Sequence, residues 1–283
     1  MSMVPRSLAS LGPHGFHRLA YWEWPGPQGA GTVICAHGLT RNGRDFDMLA
    51  AALSARFRVI CPDFPGRGSS PWLGESADYT YALYLSDMAT LIARLDCERV
   101  DWIGTSMGGL VGLLLAAQPG TPIRRFVIND IGPLIAREGM ERIATYVGRD
   151  PSFRDLAELE AALRQVAASF GPLTDAQWRH LAEISTRRKA DGTLGFAYDP
   201  GIGDAFRAAV PPVDVDLWPQ WDAIACPTLV LRGAQSDLLR AADAQAMTRR
   251  GPKAKLVEFP GIGHAPALMA EDQIAVIRDF LLG

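Results

Sequence analysis

Residues 101–112 read DWIGTSMGGLVG, a short apolar run followed by a serine set among glycines. Ser106 admits two readings. Serine is a common helix N-cap, and a cap alone would explain a serine between a strand and a helix. The glycines argue for more. In Gly104-Thr105-Ser106-Met107-Gly108 the chain must reverse sharply from strand to helix, and a side chain at either glycine would obstruct that turn. Such an elbow presents the serine hydroxyl at the top of a sheet, where it can act as a nucleophile.

The surrounding pattern predicts the sheet. From residue 14 to 131, β-branched and apolar runs alternate with longer segments of helical period, the signature of strands joined by crossover helices. The runs are TVICAHG from Thr32, FRVICPD from Phe57, RVDWIG from Arg99 and RRFVIND from Arg124; Phe46–Ala55 and Tyr81–Leu95 carry the helical spacing between them. Each run ends in polar or Gly-rich residues, at the strand edge where open α/β sheets place ligands. From about Pro133 to Val215 the alternation stops in favour of helix-like stretches such as RDLAELEAALRQVAASF, with no evident strand. CPTLVLRG and AKLVEFPG then restart it. The fold class expected is therefore α/β, a mostly parallel central sheet flanked by helices. Its core would comprise residues 1–132 and 216–283, interrupted by an all-helical insertion over 133–215.

Composition narrows the function. The 283 residues carry 28 Lys and Arg against 31 Asp and Glu, a formal net charge of -3, with the charges interspersed. That leaves no basic stripe for nucleic acid and no polybasic patch for a membrane. The four cysteines lack metal-like spacing and read as reduced thiols. No sustained apolar stretch opens the chain, so a cytoplasmic protein acting on a small molecule is expected. Oligomeric state is not legible.

A serine hydroxyl needs a general base, itself oriented by a third group. Of the five histidines, His264 in PGIGHAPAL follows the last strand-like run on a Gly-rich loop at the ligand edge. For the acid, Asp237 in LRGAQSDLL follows the penultimate run, giving the chain order Ser106, Asp237, His264; the ordinary alternative is that Asp237 caps a helix. In CAHGLTRNGRDF, the backbone N–H of Leu39, with that of Met107, would hold a developing oxyanion. His37 there reads as a brace for the loop.

Taken together, HGLT, DFPGRGSS, GTSMGG, RGAQSD and GIGHAP occur in an order that resembles the α/β-hydrolase-fold enzymes, in particular the capped, esterase-like kind. The resemblance covers almost the whole chain outside the insertion. It implies hydrolysis of an ester, thioester or lactone through an acyl-serine under a helical cap, with no metal and no organic cofactor. Relatives that open epoxides or remove halides carry an aspartate at the elbow, so Ser106 argues against both. Carbon–carbon hydrolysis of vinylogous diketones, and a ligand receptor that keeps the same three residues, are the alternatives. Some proteins of this fold draw the acid from the strand after the elbow, which makes Asp130 in FVINDIGP the second candidate. Phe64 and Trp218 are expected among the apolar walls of the substrate pocket, and Arg41 as a partner for a substrate carboxylate.

Overall fold

Val33 to Ala36 are all fully buried, and alternate residues go to opposite faces: Val33 and Cys35 join one apolar cluster, Ile34 and Ala36 the other. Covering both faces of a strand with helices produces this kind of continuous apolar run. In a computed structural model, which describes residues 2–283, the strand is β3 (Thr32–Ala36) of an eight-stranded sheet. The other seven are β1 (Val4–Gly12), β2 (Gly15–Trp24), β4 (Arg58–Pro62), β5 (Val100–Thr105), β6 (Ile123–Asn129), β7 (Thr228–Gly233) and β8 (Lys255–Phe259). Their order is β1-β2-β4-β3-β5-β6-β7-β8, parallel from β4 onward. The β1–β2 hairpin pairs antiparallel and attaches antiparallel to β4. Its strands lay outside the runs read from the sequence, because β1 is largely exposed and lacks a continuous apolar core.

Helices α1 (Asp47–Leu53), α2 (Tyr81–Arg94) and α3 (Met107–Ala116) follow β3, β4 and β5 in turn. Leu49 and Leu53 of α1 pack with Ile274 and Ile277 of the C-terminal helix Glu271–Leu282 on one face of the sheet. Met88 of α2 and Val111 of α3 pack on the other. Burying each such side chain contributes about 1.5–3 kcal/mol. Among the described residues, no helix is long and apolar enough to cross a membrane.

Between β6 and β7 the chain leaves the sheet. Leu134–Ile135 pairs antiparallel with Val215–Asp216, so the outgoing and returning strands are clipped together. Four helices lie between them: α4 (Arg137–Ala144), α5 (Leu156–Val166), α6 (Asp175–Ile184) and α7 (Gly201–Ala209). Leu159 and Leu163 of α5 meet Trp178 and Leu181 of α6 in a small core of their own. The expectation of an all-helical insertion is corrected by this clip and by a second pair of strands. Thr186–Arg188 and Leu194–Phe196 form a two-stranded hairpin, too short for a periodic signal against its polar flanks.

Candidate active site

Ser106 sits between β5 and α3 with φ 52° and ψ -116°, a left-handed conformation that costs a non-glycine residue of order 1–3 kcal/mol. Close packing holds it there. A Cβ on Gly104 would lie 2.2 Å from the carbonyl oxygen of Gly108, and one on Gly108 would lie 2.1 Å from that of Ala36. The first turn of α3 thus rests directly on the ends of β3 and β5. The Ser106 N–H donates to the Asn129 carbonyl at 3.0 Å, tying the turn to β6 as well.

His264 lies in the loop after β8. Its Nε2 is 2.9 Å from Ser106 Oγ and its Nδ1 is 2.9 Å from Asp130 Oδ2. The carboxylate selects the tautomer in which Nδ1–H donates to Asp130 and Nε2 accepts from the serine hydroxyl. Asp130, the residue directly after β6, is fully buried, and its Oδ1 accepts the Gly233 N–H at 2.7 Å. The structure therefore brings together Ser106, His264 and Asp130.

Asp237, the acid favoured from the sequence, is elsewhere. Its side chain is 57% exposed and pairs with Arg142 of α4 at 2.8 Å. Strand order supplies the reason: β6 is the immediate neighbour of β5, so the residue that ends β6 emerges beside the elbow. Asp237 lies beyond β7, after a turn in which the Ser236 N–H bonds back to Gly233.

Gly38 carries the backbone up to Ser106; a Cβ there would lie 3.7 Å from the serine Cβ. Among the described residues, the N–H groups of neither Leu39 nor Met107 donate to a protein acceptor. His37 below them is a brace. Its Nδ1–H donates to the Gly38 carbonyl at 2.7 Å, and its Nε2 accepts the Phe64 N–H at 3.0 Å. Burial, chiefly, pushes its pKa down to about 3, so it stays neutral and unable to deliver or take a proton at ordinary pH.

Beside Ser106 opens a cavity of about 980 Å³. One wall is Leu39, Thr40 and Pro266; the other comes from the segment between β6 and β7, including Phe153, Leu163 and Phe196. That segment is tied to the histidine loop: Ser169 Oγ donates to the His264 carbonyl at 2.6 Å, and Gly263 N–H donates to the Ser169 carbonyl at 2.8 Å. The aromatic wall residues went unread because Phe153 precedes α5 and Phe196 ends the short hairpin, where no periodic pattern assigns a side chain to a face.

Of the three expected pocket residues, Phe64 and Trp218 are corrected, and Arg41 is found on the cavity with a carboxylate of the protein already against it. Arg41 lines the cavity, but one edge of its guanidinium, Nε and Nη2, donates to the two carboxylate oxygens of Asp45 at 2.8 and 2.6 Å, and Nη1 donates to Ser185 Oγ. An intramolecular carboxylate has taken the place intended for a substrate. Phe64 is fully buried behind the site, edge-on to His37, and Trp218 lies apart from the cavity with Arg250 over its ring. Among the described residues, no three His, Cys, Asp or Glu side chains are grouped to hold a metal ion.

A model of the alpha/beta hydrolase family matches residues 33–277. The chain belongs to that family. This α/β hydrolase is 44% identical over 292 aligned residues to the 3-hydroxybutyrate-oligomer hydrolase of Cupriavidus necator, covering 100% of both chains. It is 28% identical to the 2-(acetamidomethylene)succinate hydrolase of Mesorhizobium japonicum, over 82% of this chain and 81% of the other. The crystal structure of an alpha/beta hydrolase from Novosphingobium aromaticivorans is similar to it with a TM-score of 0.89 at 38% identity, covering 99% and 98% of the two chains.

Proposed function

We propose that this α/β hydrolase cleaves short carboxylic esters of the hydroxyalkanoate-oligomer type through an acyl enzyme on Ser106. The observation that carries the reading is the unbroken chain of hydrogen bonds from Ser106 Oγ through His264 to the buried Asp130. The full-length relative named for 3-hydroxybutyrate oligomers supports the substrate class. So does the cavity, whose volume and apolar walls suit a small aliphatic ester.

In this reading Ser106 Oγ attacks the ester carbonyl while His264 Nε2 takes its proton. Asp130 keeps the imidazole in the right tautomer and stabilises the imidazolium that forms. The N–H groups of Leu39 and Met107 receive the oxyanion, an electrostatic contribution made before the reaction begins and so free of reorganisation cost. His264 then gives its proton to the leaving alkoxide. Water, deprotonated by the same imidazole, releases the acyl group and restores the serine. Residues 133–215 act as a cap over the core formed by 1–132 and 216–283, supplying the walls that select the acyl and alcohol parts of the substrate.

The test pairs labelling with turnover. A fluorophosphonate should modify Ser106 stoichiometrically, and the protein should turn over 3-hydroxybutyrate dimer and trimer. Ser106→Ala, folded by circular dichroism, should lose about six orders of magnitude in turnover. Retained turnover in that variant would refute the acyl-serine reading; stoichiometric acylation without turnover would point to a receptor.

A further inference from the structure

Arg67 lies in the turn after β4, fully buried, and no carboxylate answers its charge among the described residues. Its Nε–H donates to the Leu39 carbonyl at 2.8 Å. Nη1 donates to the Pro65 carbonyl at 2.7 Å and to Tyr84 Oη at 2.8 Å, and Nη2 approaches the Met107 sulfur at 3.7 Å. The rings of Tyr79 and Tyr84 sit 5.5 and 5.1 Å from the guanidinium carbon. Every neighbour is a dipole or a π face. The carboxylate of Asp199 is met only indirectly, through the Tyr79 hydroxyl that donates to it.

Stripping a cation of water without an anion costs several kcal/mol, and dipoles offset only part of that. Arg67 therefore leaves a net positive charge inside the protein. Its contacts show where the charge is directed. Leu39 and Met107, the residues whose backbone N–H groups face no protein acceptor, are both touched by this one side chain. His37, on the same loop, feels the charge too, which adds to the burial that keeps it neutral.

We propose that Arg67 is the positioning residue of the oxyanion hole. The bond to the Leu39 carbonyl restrains the rotation of the loop that carries the Leu39 N–H, and the unneutralised guanidinium supplies a fixed positive potential beneath the site where negative charge develops. An oriented charge in a water-poor corner favours the tetrahedral oxyanion over the neutral ester, so its effect falls on kcat and leaves substrate binding alone. This role rests on the acyl-serine reading and on Leu39 and Met107 as donors.

The experiment compares Arg67→Met and Arg67→Lys with wild type on an ester substrate, with two inhibitors. One is a trifluoromethyl ketone, whose hemiketal with Ser106 is an oxyanion; the other is an uncleavable ether analogue of the substrate. In folded Arg67→Met, kcat should fall about 10²-fold with KM within about threefold, as for loss of an oxyanion donor. Affinity for the ketone should fall with kcat while affinity for the ether holds, and Arg67→Lys should recover part of both losses. A folded Met variant with kcat within about threefold of wild type, or equal weakening of both inhibitors, overturns the proposal. Should Arg67→Met not fold, Tyr84→Phe removes one anchor of the guanidinium and must lower kcat and ketone affinity together; no change in either overturns it. Ser106→Ala separates the two readings. If that variant is inactive while Arg67→Met behaves as wild type, only the role of Arg67 is lost, whereas an active Ser106→Ala refutes the acyl serine itself.

Discussion

Asp130 and His264, 134 residues apart, meet at 2.9 Å between a carboxylate oxygen and Nδ1, while the other oxygen of Asp130 is held by the Gly233 N–H. The carboxylate is thus oriented by β7 and aimed at the imidazole. Asp130→Asn should keep the shape but offer an amide that favours the wrong tautomer, lowering turnover about 10⁴-fold. Asp237→Asn removes only an exposed ion pair with Arg142 and should leave turnover near wild type. Parallel kinetics on the two folded variants decide it. A dead Asp237→Asn beside an active Asp130→Asn would reverse the assignment.

The elbow predicts a steric defect. A methyl group on Gly108 would fall 2.1 Å from the Ala36 carbonyl oxygen, a backbone atom of the central strand that cannot swing aside. Gly108→Ala should lower stability by at least about 1–3 kcal/mol and displace Ser106 from His264. Thermal melting and fluorophosphonate labelling rates measure the two effects. A variant with wild-type melting and labelling would show that the close approach is not required.

Selectivity should follow the cavity walls. Ala162 of α5 lines the cavity, so Ala162→Phe should place a ring in it and leave Ser106, His264 and Asp130 in contact. The expected result is a 3-hydroxybutyrate trimer disfavoured relative to a phenyl acetate by roughly 10- to 100-fold in kcat/KM. Equal changes for both substrates would place substrate binding elsewhere.

His37 links stability to pH. Its pKa is about 6.5 in the unfolded chain and about 3 in the folded protein. Below pH 6.5 the unfolded chain therefore binds a proton that the folded protein refuses, and the stability contributed by neutral His37 is lost as pH falls toward 3. The slope is at most about 1.4 kcal/mol per pH unit. Asp63, raised by burial to about 6, works in the opposite sense, since on acidification the folded protein protonates first. Comparing wild type with His37→Gln cancels Asp63. The advantage of wild type in urea unfolding should shrink from pH 7 to pH 4; a constant or growing advantage would contradict a neutral, buried His37.

Local chemistry made most of this protein legible. Runs such as VICA at 33–36 and LVL at 229–231, apolar at every position, identify strands covered on both faces because each alternate residue must leave water on its own side. Gly104 and Gly108 mark the elbow for a steric reason confined to a few residues, and the Gly-rich PGIGHAP marks a loop at the end of the last strand. The exposed strand β1, by contrast, has no such code, and the hairpin at Thr186–Phe196 is too short for one.

The α/β sheet, the elbow at Ser106 and the Gly-rich loop that carries His264 were legible in the sequence by itself, since each depends on neighbours in the chain. Only the tertiary structure shows which of two aspartates that both follow a strand lies against His264, because that depends on which strand lies beside β5. It also set Asp45 against Arg41 and brought Arg67 from its turn to the Leu39 carbonyl. Charges and carboxylates act through distance and dielectric, and both are fixed by packing between segments that the linear order leaves far apart.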